Sequence, residues 1–136
     1  MNLKLLLPAL LLGASADAAT LTLNLEGLQE AKGHVYISVA ADADAFDGKG
    51  RPTAVQRVEV TGPKLTVTFP DLAPGTYAVS LFHDANGNGK LDTNFIGIPK
   101  EGYGFSNNVG ERGKPKFSEA KFTLAAEGTT LDIVVF

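Results

Sequence analysis

"TLTLNLEG" (Thr20–Gly27) and "GHVYISVA" (Gly33–Ala40) decide the fold. In the first, Leu21, Leu23 and Leu25 alternate with polar residues; in the second, Val35, Ile37 and Val39 share one side. A period of two puts every second side chain on one face of an extended strand. The same pattern recurs along the chain. It places inward Val58 and Val60 in "AVQRVEV", Leu65, Val67 and Phe69 in "KLTVTF", and Tyr77, Val79 and Leu81 in "TYAVSLF". Near the end it places inward Phe122 and Leu124 in "KFSEAKFTL", and Leu131, Ile133 and Val135 in "TLDIVVF". Turn residues punctuate these runs at Thr61–Lys64, at Pro70–Gly75 and at Gly128. No segment sustains a helical period. About seven strands with such turns predict an all-β fold, an antiparallel two-sheet sandwich.

The first residues read differently. Lys4, an apolar run from Leu5 to Leu12 and the small residues Ala16 and Ala18 have the layout of a secretory signal peptide cleaved after Ala18. The expectation is a leader at 1–18 and one sandwich domain at 19–136, exported to the periplasm or the extracellular space. The absence of Cys excludes a disulfide framework and a lipid-modified Cys. A net charge of −3 with no basic cluster excludes the phosphate neutralisation that nucleic-acid binding needs. Anionic membrane surfaces are excluded on the same ground. The strands are also short for a membrane barrel, and Asp132 shares the face of Val134 and Phe136, so the mature domain is not expected to insert in a membrane.

Two connections are long: Asp42–Thr53, and Asp84–Lys116, which shows no strand or helix of its own. Loops beyond about 12–15 residues are unusual in compact domains and are often functional. If successive strands run antiparallel, the Glu26–Gly33 loop, the Thr61–Lys64 turn and the start of the longest loop share one end of the sandwich. Asp42, Asp44 and Asp47 then lie at the other end, in a solvated loop.

The longest loop opens with "HDANGNGKLDTN" (His83–Asn94). Counting Asp84 as position 1 of an EF-hand-like loop, Asn86 falls at 3, Asn88 at 5, Gly89 at 6, Lys90 at 7, through its carbonyl, and Asp92 at 9. Calcium takes such alternating oxygens, and glycine at position 6 permits the sharp turn. Position 12 is Phe95, which has no side-chain oxygen, and a strand precedes the loop where an EF-hand has a helix. Glu101 is the nearest replacement carboxylate in sequence; Glu26 and Glu30 share its predicted end. Two carboxylates, Asp84 and Asp92, just balance a divalent cation. Weak binding of Ca2+ is therefore expected, with a dissociation constant of ~10⁻⁴–10⁻³ M. An all-oxygen set with one adjacent His disfavours zinc. The competing reading is a metal-free turn, because Asn, Asp and Gly also build turns through local side-chain bonds.

"HDANGNGKLD" and "GIPKEGYGFSNN", followed by "GKPKFSEAKF", resemble a secreted bacterial family of unknown function, DUF2141. The resemblance runs across most of the mature chain and is tightest over His83–Asn108. It implies a small exported domain with an Ig-like or transthyretin-like sandwich, and carries no activity with it.

His83 and Asp84 are neighbours in a strand and point to opposite faces, so they are no catalytic pair; His83 reads as a structural histidine at the core's rim. His34 reads as exposed. Ser106 in "GFSNN" lacks the second glycine of a nucleophile elbow. Glu101, Glu111 and Glu119 keep open a carboxylate-dependent hydrolase or a carbohydrate-active protein using the 84–116 loop. Phe95, Tyr103 and Phe105 form either a lip for a sugar or peptide ligand or an apolar cap on the end of the sandwich. The leading expectation is a non-catalytic, exported, calcium-binding module with a binding or structural role at the cell envelope, its partner a protein or glycan.

Overall fold

A computed structural model describes residues 18–87 and 101–136. Outside these lie residues 1–17 of the expected leader, and with them Asn88, Lys90, Asp92 and Phe95 of the expected loop sites. The chain forms β1 (Ala19–Glu26), β2 (His34–Ala40), a short helix α1 (Ala43–Phe46), β3 (Ala54–Glu59), β4 (Lys64–Leu72) and β5 (Gly75–Asp84). Then follow β6 (Tyr103–Phe105), a 3-10 turn (Ser106–Asn108), α2 (Phe117–Ala120), β7 (Phe122–Leu124) and β8 (Thr129–Val134).

The alternation settles which way each strand faces. Leu21, Leu23 and Leu25 are buried against Val35, Ile37, Val39, Val79 and Leu81 across the sandwich. One sheet has the order β4-β1-β8; the other runs β3-β2-β5-β6, with β7 also paired to β5. The all-β sandwich is therefore present, with eight described strands where the sequence pattern gave seven. The additional strand is β6, inside the segment read as a loop. One pairing departs from the antiparallel expectation: β1 and β8 run parallel, from Leu21 opposite Thr129 to Glu26 opposite Val134.

Local chemistry explains the other departures. "KFSEAKFTL" is not one strand, because the Glu119 carboxylate accepts the Lys116 N–H at 2.8 Å and closes a helical turn before β7. Pro70 and Asp71 lie within β4 rather than in a turn. The register shifts there, from Leu21 opposite Phe69 to Ala19 opposite Leu72, and Asp71 has φ 63°. A bulge accommodates both, since proline has no N–H to give a ladder. The Asp42–Thr53 connection is also less open than expected. The Asp42 side chain accepts the Ala45 N–H at 2.8 Å as an N-cap, and the helix it starts buries Phe46.

The predicted ends hold. Glu26 pairs with Lys64, and His34 pairs with both Glu59 and Asp84, so these connections share one end of the sandwich. Ala40, opposite Ala78, leads to α1 at the other end. The long segment does not stay where it starts. From Glu101 it runs back along β5, with Tyr103 opposite Phe82 and Phe105 opposite Ser80. By Lys114 it reaches α1, where the ammonium donates to the Phe46 carbonyl at 2.6 Å. There Phe46, Phe105, Ala40, Ala78 and Ala120 form a second apolar cluster. No helix among the described residues is long and apolar enough to cross a membrane.

Candidate functional site

Asp84 is the last residue of β5 and is 1% exposed. Its neighbour His83 turns to the core side, as strand geometry requires, and is also buried. The His83 Nε2 lies 2.7 Å from the Lys32 carbonyl. A carbonyl oxygen only accepts, so Nε2 carries a proton, and the bond ties the end of β5 to the Glu26–Gly33 loop. Gly33 brings that loop flush against the turn. It has φ +69°, and a Cβ placed on it would sit 2.2 Å from the Asp84 carbonyl oxygen.

Glu101 meets the same turn from the far side of the long segment. Its Oε2 accepts the Ala85 N–H at 2.9 Å, and the adjacent Gly102 carbonyl accepts the His83 N–H at 2.8 Å. Of the three carboxylates considered for position 12, Glu101 is the one that hydrogen bonds tie to the turn. Glu30 instead pairs with Lys32 at 3.0 Å on the open surface. Asn86 follows in an exposed position. Among the described residues no three His, Asp or Glu side chains gather to hold a metal. The described part of the motif supplies Asp84, Asn86 and Glu101; Asn88, Lys90 and Asp92 lie outside the described residues.

A second feature lies on the outer face of the larger sheet. Register places Arg57, Tyr36, Phe82 and Tyr103 in one row across β3, β2, β5 and β6. The next row is Val55, Ser38, Ser80 and Phe105. The first row is tall and stiff. Tyr36 and Phe82 stack with centroids 5.1 Å apart and planes 10° apart, and the Arg57 Nε donates to the Tyr36 hydroxyl at 3.1 Å. The second row dips at its two serines. Residues Glu111–Lys114 wall the groove, and the Tyr103 hydroxyl donates to the Glu111 carbonyl to hold them there. The groove encloses about 850 Å³. Tyr103 and Phe105 thus line this sheet face, and both also pack on the apolar cluster beside α1.

The remaining candidates are dispersed. Glu101 stands at the β5 turn, Glu111 on the groove's rim and Glu119 in α2. Ser106 is wholly buried; its Oγ accepts the Val79 N–H at 2.9 Å and donates to the Ala120 carbonyl at 2.5 Å. Asn107 donates to the Glu119 and Lys121 carbonyls, and Asn108 bonds both Asp132 and Val134 of β8. "SNN" therefore clamps the returning segment to α2 and β8. Sequence reading missed this; the signal available was two consecutive Asn, the residues that best tolerate the positive φ both adopt. His34, read as exposed, is half-buried.

A family model described as "Uncharacterized protein conserved in bacteria (DUF2141)" matches residues 23–132. The match spans most of the chain, and the chain belongs to this family. No curated protein and no solved structure matches it.

Proposed function

We propose that this DUF2141 member is an exported, non-catalytic sandwich module that binds calcium weakly at the turn after β5. Its role at the cell envelope is binding or structural, toward a protein or glycan partner. The support for export is the leader-like start of the sequence. The support for calcium is the oxygen spacing of Asp84, Asn86, Asn88, Lys90 and Asp92 around Gly89. One observation carries the reading: the Glu101 carboxylate is held at the Ala85 N–H, beside the first ligand, in a loop whose own position 12 has no oxygen. Two Asp and one Glu would give the ion three carboxylates, with amide and carbonyl oxygens completing its shell.

The test is calorimetric titration of calcium into chelator-treated protein, with melting curves alongside. A bound ion stabilises by RT ln(1 + [L]/Kd), about 1.4 kcal/mol at ten times Kd. Binding near millimolar concentration, lost in Asp84→Asn, is expected. No heat of binding together with an unchanged melting curve in millimolar calcium overturns the proposal.

A further inference from the structure

The groove on the outer face of the larger sheet is built, and the calcium reading does not use it. Rows along a strand are about 6.6–6.8 Å apart and strands about 4.8 Å apart. A pair of serines beside a pair of stacked rings therefore leaves a pit the size of a small molecule. Ser38 and Ser80 form its floor and Tyr36 with Phe82 one long wall; Phe105 closes one end. Val55 stands at the other end, 64% exposed, an unusual place for so large an apolar group. The volume of about 850 Å³ falls in the range of small-ligand sites, which are mostly apolar with a few convergent polar groups.

Charge decides the class of ligand. The chain carries −3 overall, yet the groove is lined by Arg57, Arg112 and Lys114 against the single carboxylate of Glu111. Lys114 is engaged with the Phe46 carbonyl and lies 3.9 Å from Asp47, so the local excess rests on Arg57 and Arg112. Arg57 sits at the end of the aromatic row, its guanidinium 5.9 Å from the Tyr36 ring centre. An apolar body would cover the rings, while an acidic head would meet a guanidinium and the two hydroxyls would bond what reaches the floor.

We propose that this groove binds a small amphipathic anion, an apolar body carrying one acidic group, between the Tyr36–Phe82 stack and Phe105 with its charge toward Arg57 and Arg112.

The probes are 8-anilinonaphthalene-1-sulfonate, an aromatic anion, and N-phenyl-1-naphthylamine, its neutral counterpart, both followed by fluorescence on the native protein. Saturable one-site binding of the sulfonate, displaced by decanoate, is expected, with the neutral probe about tenfold weaker. Ser38→Phe fills the pit and should weaken the sulfonate by at least about tenfold. Arg57→Gln combined with Arg112→Gln alters only exposed side chains and is expected to fold whatever becomes of the serine variant. It should weaken the sulfonate and leave the neutral probe within about twofold. Circular dichroism of each variant separates groove binding from dye uptake by unfolded chain. Absence of saturable binding, or sulfonate binding indifferent to both variants, overturns the site. Equal binding of the two probes overturns the anionic class.

Discussion

The Glu101 carboxylate and the Ala85 N–H meet at 2.9 Å although sixteen positions separate them in the chain. The contact ties the residue that follows β5 to the segment that leads into β6. Glu101→Gln keeps an oxygen that can accept the Ala85 N–H and removes the charge, whereas Glu101→Ala removes both. In chelator, Glu101→Gln should therefore melt closer to wild type than Glu101→Ala. In millimolar calcium both should lose most of the calcium-dependent rise. Differential scanning calorimetry reads both effects, and a full calcium response in Glu101→Gln would exclude Glu101 as a ligand.

Gly33 has no room for a side chain. Alanine there would meet the Asp84 carbonyl at 2.2 Å and the Ala85 Cα at 2.8 Å, in a left-handed conformation. The left-handed cost alone is about 1–2 kcal/mol, and backbone on both sides leaves nothing flexible to yield. Gly33→Ala should lower unfolding free energy by at least about 2 kcal/mol in urea denaturation. Wild-type stability in that variant would mean that the loop does not rest on Asp84.

Ser106→Ala should act through its two partners. It would leave the Val79 N–H without its acceptor and the Ala120 carbonyl without its donor, both in the interior. Each unmet buried group costs about 1–3 kcal/mol, so a loss of about 2–4 kcal/mol is expected in urea denaturation. A change below about 0.5 kcal/mol would point to water taking over both bonds.

Asn108→Gly separates backbone from side chain. Glycine accepts the φ of 54° without strain, so the loss reports the bonds to Asp132 and Val134 together with the backbone freedom glycine adds to the unfolded chain. Hydrogen bonds of this kind contribute about 0.5–1.5 kcal/mol each, giving an expected loss of about 1–2 kcal/mol. Hydrogen exchange at the Val134 amide should accelerate in the same variant; unchanged protection would show that Asn108 does not hold β8.

The parts legible in the sequence are those that depend on near neighbours. Leu21, Leu23 and Leu25 announce their face because alternation is local, and all three are buried. The shared end of Gly33 and Asp84 followed from counting reversals of direction. What escaped depends on distant partners. "YGF" is too short to read as a strand, and Gly104 looked like loop material. A Cβ there would lie 3.0 Å from the Val134 carbonyl and 3.1 Å from Ile133 Cγ2, so the glycine permits close approach of β6 to β8. Helix α2 has four residues, less than two turns, and no period can show in it. The groove was invisible for a related reason. Tyr36, Ser38, Ser80 and Phe82 are each an ordinary outward position until register sets them side by side.

The parallel pairing of β1 with β8 has a kinetic consequence. β1 is the middle strand of its sheet, and its neighbours are β4 and β8, the latter more than a hundred positions downstream. Closing such a span is entropically slow, whereas the β2–β3 pairing assembles from nearby chain. The smaller sheet thus cannot be completed until Thr129–Val134 is available to β1. A chain cut short before Thr129 would leave β1 with a bare flank, open to recruitment by another molecule.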